Sequence, residues 1–210
     1  MNLHFEQFAN EHGVQLQSFR ADDHPFQAQA FLDDLESQDQ TITCSGVGAH
    51  HQAGVAERGI KTVTSWALSF LMHQMLHWPD QFDEALWPFA LEHAATIWNH
   101  LPKASTGLSP YELFTGSKLP YNSILLNARV WGCPAFTLNP KLQDGRKLPK
   151  WHMNSCQGMH LGASPDHSPT VRRILNLRTG VISPQCHVMH DELFSAVQGS
   201  LTESDKKQIK

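Results

Sequence analysis

Two acidic positions offer the chain's clearest opening for chemistry. Asp22 and Asp23 follow an alternating run from Val14 to Phe19, and Glu57 lies in the first turn of a long helical pattern. Thirty-four residues separate Asp22 from Glu57. A carboxylate at the C-terminal edge of a strand faces the crevice where α/β proteins usually place ligands. Asp22-Asp23-His24 also suits a plain turn, since Asp is a favoured turn residue. Glu57 complements the positive end of its helix dipole, which is reason enough for a carboxylate there. Lys61, one turn later, is placed for an i, i+4 ion pair with Glu57. The intervening stretch, Gly46 to Gly54, contains His50 and His51 and reads as a loop. Adjacent histidines do not easily chelate one metal.

The elements that must hold these residues are legible from periodicity. Leu3, Phe5, Phe8 and Ala9 recur at helical spacing, and Gly13 ends the run as a helix-terminating glycine would. The Val14–Phe19 strand follows, then a short helix over Phe26–Leu35 and a strand over Gln40–Cys44. Ile60, Val63, Ala67, Leu71 and Met75 predict a long helix that Pro79 stops. A second helical stretch over Asp80–Leu101 is expected to kink or restart at Pro88. Trp66, Trp78, Trp87 and Trp98 lie in these two stretches. Packing is the favoured role for them over a base-stacking platform, because such rings bury large areas. Ser109-Pro110-Tyr111-Glu112 is a capping box with Pro at the first helical position. Strand-like runs follow at Val130–Leu138, Cys156–Leu161, Val171–Leu177 and Val181–Met189, separated by turn signals. That pattern suggests a small β-barrel.

Composition bounds the partners. The 210 residues are 40% hydrophobic and 17% charged, which excludes a wholly disordered chain. A net charge of −4 argues against an overtly polybasic nucleic-acid binder. Yet Arg146, Lys147, Lys150, Arg172, Arg173 and Arg178 concentrate positive charge in the strand-rich segment, where they form a candidate phosphate-contacting face or an ordinary solvated one. No apolar run approaches the ~20 residues of a membrane span, and no signal peptide is expected. The cysteines at 44, 133, 156 and 186 form no C-x-x-C pair, so reduced thiols are expected. The fourteen histidines are scattered, which disfavours a metal-storage protein.

Several motifs, taken in order, resemble the integrase of copia-type LTR retrotransposons. They are Asp22-Asp23-His24, His51-Gln52-Ala53-Gly54-Val55-Ala56-Glu57-Arg58, Leu86-Trp87-Pro88, and Leu108-Ser109-Pro110-Tyr111-Glu112-Leu113-Phe114-Thr115-Gly116. Val130-Trp131-Gly132-Cys133-Pro134, Leu177-Arg178-Thr179-Gly180 and His187-Val188-Met189-His190-Asp191 continue the series. The resemblance spans roughly 14–194.

It implies an α/β fold: a partial RNase H-like core over 1–116, a linker over 117–128, an SH3-like β-barrel over 129–194, and a flexible tail over 195–210. It implies metal-dependent 3′-end processing and strand transfer on DNA, in the nucleus or a cytoplasmic particle, with self-association left open and no membrane partner. In that chemistry three carboxylates hold two Mg²⁺ or Mn²⁺ ions about 3.5–4 Å apart. Asp22 and Glu57 match two of the three. The 21 residues before Asp22 contain Glu6 and Glu11 but no Asp, so the third ligand is missing here and the expectation is an integrase segment inactive on its own. The alternative is a catalytically inactive remnant that binds nucleic acid or protein. Asp-Asp-His stands where relatives have Asp-Asn-Gly, and Ala53 replaces an amide. Lys61 matches a phosphate-contacting position, and Arg58, Arg146, Lys147 and Lys150 are the other nucleic-acid-binding candidates.

Overall fold

The computed structural model describes residues 2–21, 29–44, 54–118 and 123–197. These residues fall into two compact units. One lies within Met1–Thr62 and Pro102–Leu119, the other within Val63–Leu101 and Pro120–Lys210.

In the first unit, helix α1 (Asn2–Glu11) ends where Gly13 adopts a φ of 69°. The Val14 amide then closes the helix end on the Ala9 carbonyl at 2.9 Å. Phe5 and Phe8 pack on Phe114 of α5 (Pro110–Thr115), with ring centroids 5.9 and 5.8 Å apart. The His12 ring bridges the Phe8 carbonyl and the Tyr111 hydroxyl, at 2.8 and 2.7 Å. The expected capping box is present in full. Ser109 Oγ accepts from the Glu112 amide and the Glu112 carboxylate accepts from the Ser109 amide.

Strand β1 (Ser18–Ala21) pairs in parallel with β2 (Thr41–Cys44), and α2 (Gln29–Ser37) lies between them in sequence. A parallel pair needs such a crossover. The strand begins later than the alternation of Val14–Phe19 predicts, because Val14–Gln17 make no ladder. Part of the expected Phe26–Leu35 helix lies outside the described residues, and α2 runs to Ser37.

Helix α3 (Gly54–His77) continues from the first unit into the second and stops before Pro79. Two short 3₁₀ turns, Pro79–Gln81 and Glu84–Leu86, replace the expected first half of the next helix. The helix restarts as α4 (Trp87–His100) with Pro88 in its first turn, where the missing N–H costs nothing.

The second unit contains a five-stranded antiparallel sheet in the order β6-β5-β4-β3-β7. Its strands are β3 (Pro134–Leu138), β4 (Ser155–Ala163), β5 (Arg172–Asn176), β6 (Ile182–Gln185) and β7 (Val188–His190). Short helices α6 (Ser123–Leu126) and α7 (Pro140–Gln143) flank β3 in the chain. Trp131, Cys133, Met159 and Leu161 form the core with Ala67, Trp78, Leu86, Ala90, Ala94 and Phe194. Gly158 admits the close approach of β5. A Cβ there would sit 2.6 Å from Ile174 Cγ2 and from the Leu175 carbonyl oxygen.

The expected strand Val181–Met189 is split into β6 and β7, which form opposite edges of the sheet. Pro184 cannot donate to a ladder, which suits an edge strand. Only Cys186 and His187 connect the two. Three Cα–Cα steps reach about 11 Å, whereas a flat sheet of five strands holds its outer strands about 19 Å apart. The sheet is therefore strongly curled. No strand pairing joins β6 to β7 among the described residues, so the curl does not close into a barrel. Gln143 spans the gap differently, donating to the Leu138 carbonyl at 2.9 Å and to Gln185 Oε1 at 3.0 Å.

Candidate nucleic-acid interface

The candidate carboxylates are only partly described. β1 ends at Ala21, and Asp22, with Asp23 and His24, lies outside the described residues. His50, His51 and Gln52 also lie outside them. Glu57 stands in the first turn of α3, as its sequence position requires, and is exposed. Arg58 and Lys61 are exposed as well. No ion pair joins Glu57 to Lys61 among the described residues, so the structural alternative for Lys61 is not realised. Among the described residues no three His, Cys, Asp or Glu side chains are gathered so as to hold a metal ion.

The basic residues of the second unit sort into two sets. Arg146, Lys147, Lys150 and Arg178 are exposed. Arg172 and Arg173 do not join them on a solvated face. Arg172 is buried and donates to the Pro169 and Asn127 carbonyls. Arg173 pairs with Glu92 at 2.8 Å and lies over the Phe89 ring. Both were candidates on charge alone, which cannot report burial.

The structure adds a feature that periodicity does not reveal. A groove of about 1010 Å³ is bordered by the Pro79–Gln81 turn, residues 151–157 leading into β4, and the Asn176–Arg178 turn. Trp151 lines it and is 91% exposed, with Met153 beside it at 83%. The Lys150 ammonium sits 5.6 Å from the Trp151 ring centroid, a cation–π contact. Arg178 lines the groove as well, and Asp80 supplies its single carboxylate. Asn139 anchors this region by accepting from the Lys141 amide, while its own amide donates to the Asn154 carbonyl at 2.8 Å. An indole left in water beside cations can stack any base and leave the phosphates to the cations. The other tryptophans divide differently. Trp78 and Trp131 are buried, and the Trp78 indole donates to the Gly132 carbonyl at 2.8 Å. Trp66 packs against the core, while Trp87 is exposed.

Histidines account for most of the shifted acidities. Burial, with Arg172 and Arg173 nearby, lowers His93 to about 4. Burial, followed by Arg129 and Arg172, lowers His190 to about 4. Burial, with His190 as the next contribution, holds His160 well below the usual imidazole range. All four cysteines are free. Burial pushes the Cys133 thiol up to about 12, which makes it unreactive.

No family model and no curated protein matches this sequence. Among solved structures, a simian T-cell lymphotropic virus intasome in complex with the PP2A regulatory subunit B56 gamma is similar at 12% identity and a TM-score of 0.41. The match covers 89% of this chain and 61% of that chain. No helix among the described residues is long and apolar enough to cross a membrane.

Proposed function

We propose that the chain is a DNA-binding segment of a copia-type retrotransposon integrase, with a curled sheet of SH3-like type following a partial RNase H-like core. The observation that carries the binding function is the groove that exposed Trp151, lying under Lys150, lines together with Arg178. The ordered motifs support the ancestry, and so does the run of parallel β1 and β2 into α3 with Glu57 in its first turn. Such grooves combine stacking with phosphate neutralisation and prefer single strands. Arg146 and Lys147 extend the positive surface, and Arg58 and Lys61 supply a second one on α3. Asp22 and Glu57 are the proposed Mg²⁺ or Mn²⁺ ligands, and the nucleus is the proposed compartment. Two carboxylates without the third are expected to bind metal weakly and to leave strand transfer unsupported.

The test is a pair of assays on the full chain. Labelled single-stranded DNA should bind with an affinity that falls steeply with salt. A Mn²⁺-dependent joining assay should give no product. Joining that Glu57→Gln abolishes would show a competent active site instead, and absence of salt-sensitive binding would remove the function proposed here.

A further inference from the structure

A second cavity, of about 270 Å³, lies in the sheet unit, and its lining combines apolar Ile97, Ile124 and Ala128 with Glu92, Arg129, His160 and Arg172. The charges around it do not balance. Arg129 pairs with Glu192 at 3.3 Å, and Arg173 pairs with Glu92 at 2.8 Å. Arg172 is the most buried of the three, at 6% exposure, and has no ion-pair partner among the described residues. Among the described residues its guanidinium donates only to two neutral carbonyls, those of Pro169 and Asn127. A buried cation without a counter-charge is costly, and proteins usually pair it. His160 adds an independent sign. It lines the same cavity at 1% exposure, and its Nδ1 has no hydrogen-bond partner among the described residues. Buried polar atoms left open in this way call for a ligand or an ordered water. His93 lines the cavity too, with its ring 6.1 Å from that of His160.

We propose that this cavity binds a small organic oxyanion, a carboxylate or phosphate ester, with its charged end on Arg172 and His160 and its apolar body against Ile97 and Ile124. The guanidinium fork matches either oxyanion. The apolar wall and the volume favour a compact ligand over a polymer. This assignment uses none of the groove residues and stands apart from DNA binding.

The experiment titrates the full chain with benzoate, phenyl phosphate and inorganic phosphate, followed by calorimetry and by side-chain NMR of the Arg172 Nε–H. Saturable binding of benzoate or phenyl phosphate that shifts the Arg172 signal is the expected result. Arg172→Gln should weaken it about tenfold or more, the worth of a charge-assisted hydrogen bond. Should Arg172→Gln fail to fold, Ile124→Trp fills the cavity from its apolar wall and should abolish binding while leaving Arg172 in place. Lys118→Gln, which changes an exposed cation outside the cavity, should have no effect. Binding of neither organic probe would overturn the proposal, as would binding indifferent to Ile124→Trp. Inorganic phosphate binding as tightly as phenyl phosphate would overturn the organic assignment, and displacement of phenyl phosphate by an oligonucleotide would hand the cavity to nucleic acid.

Discussion

The two units invest their apolar residues differently. In the first, which contains β1, β2 and the Glu57 turn, Ala9 and Leu35 are the described buried hydrophobic residues, and β1 and β2 stay half exposed. A two-stranded sheet gains little independent stability. In the second, Trp131, Met159 and Leu161 are almost wholly inaccessible and sit in one continuous core. The segment that carries the candidate carboxylate Glu57 is thus the thinly packed one. The segment without candidate catalytic carboxylates is a well-built scaffold with a groove and a cavity. Recognisable chemistry and folding stability have separate owners in this chain.

The largest expected effect probes that difference at the core. Trp131→Ala should destabilise the sheet unit by about 3–5 kcal/mol, as large aromatic truncations do. Phe19→Ala in half-buried β1 should leave that unit's transition nearly unmoved. Urea unfolding followed by tryptophan fluorescence separates the two outcomes. Equal losses from both variants would erase the contrast.

Acid should act next, and through the sheet unit. His93 is 8% exposed with its folded value lowered to about 4, against about 6.5 unfolded. The unfolded chain then binds more protons between these values, so stability rises with pH across that window and is lost as pH falls from 6.5 toward 4. The shift corresponds to about 3 kcal/mol from this one residue. His93→Gln should flatten the pH dependence of unfolding between 4 and 6.5. An unchanged profile would mean that His93 is not held neutral.

Much of this organisation can be read in the sequence, and the exceptions have physical causes. Local signals served well where one residue dictates local geometry: Gly13 ends α1, Ser109 and Glu112 cap α5, and Pro79 and Pro88 mark a stop and a restart. Strand extents were less legible. Val181–Met189 reads as one strand, yet the chain crosses between opposite sheet edges at Cys186-His187, and no local pattern announces which strands will pair. The groove was missed because Trp151 has no periodicity around it. Its exposure follows from tertiary packing, although the dipeptide Lys150-Trp151 was a usable hint. Charge alone puts Arg172 and Arg173 with the other basic residues on a phosphate-contacting or solvated face, because a charge count sees composition, not burial.

Smaller effects concern DNA. Lys147→Gln and Lys150→Gln should each reduce the slope of log affinity against log salt by about 0.7 on single strands, the share of one phosphate contact. An unchanged slope for both would place the phosphates elsewhere. Glu57→Gln should be smallest, within about twofold on DNA affinity, as expected of an exposed position that does not line the groove. A large loss would make Glu57 itself part of the binding surface.

The most direct measurement is the affinity of the full chain for a labelled single-stranded oligonucleotide before and after Trp151→Ala, with folding verified by circular dichroism. One lost base–indole stack should weaken binding about tenfold or more at constant salt. An affinity unchanged by Trp151→Ala in a folded protein would contradict the groove as the nucleic-acid interface.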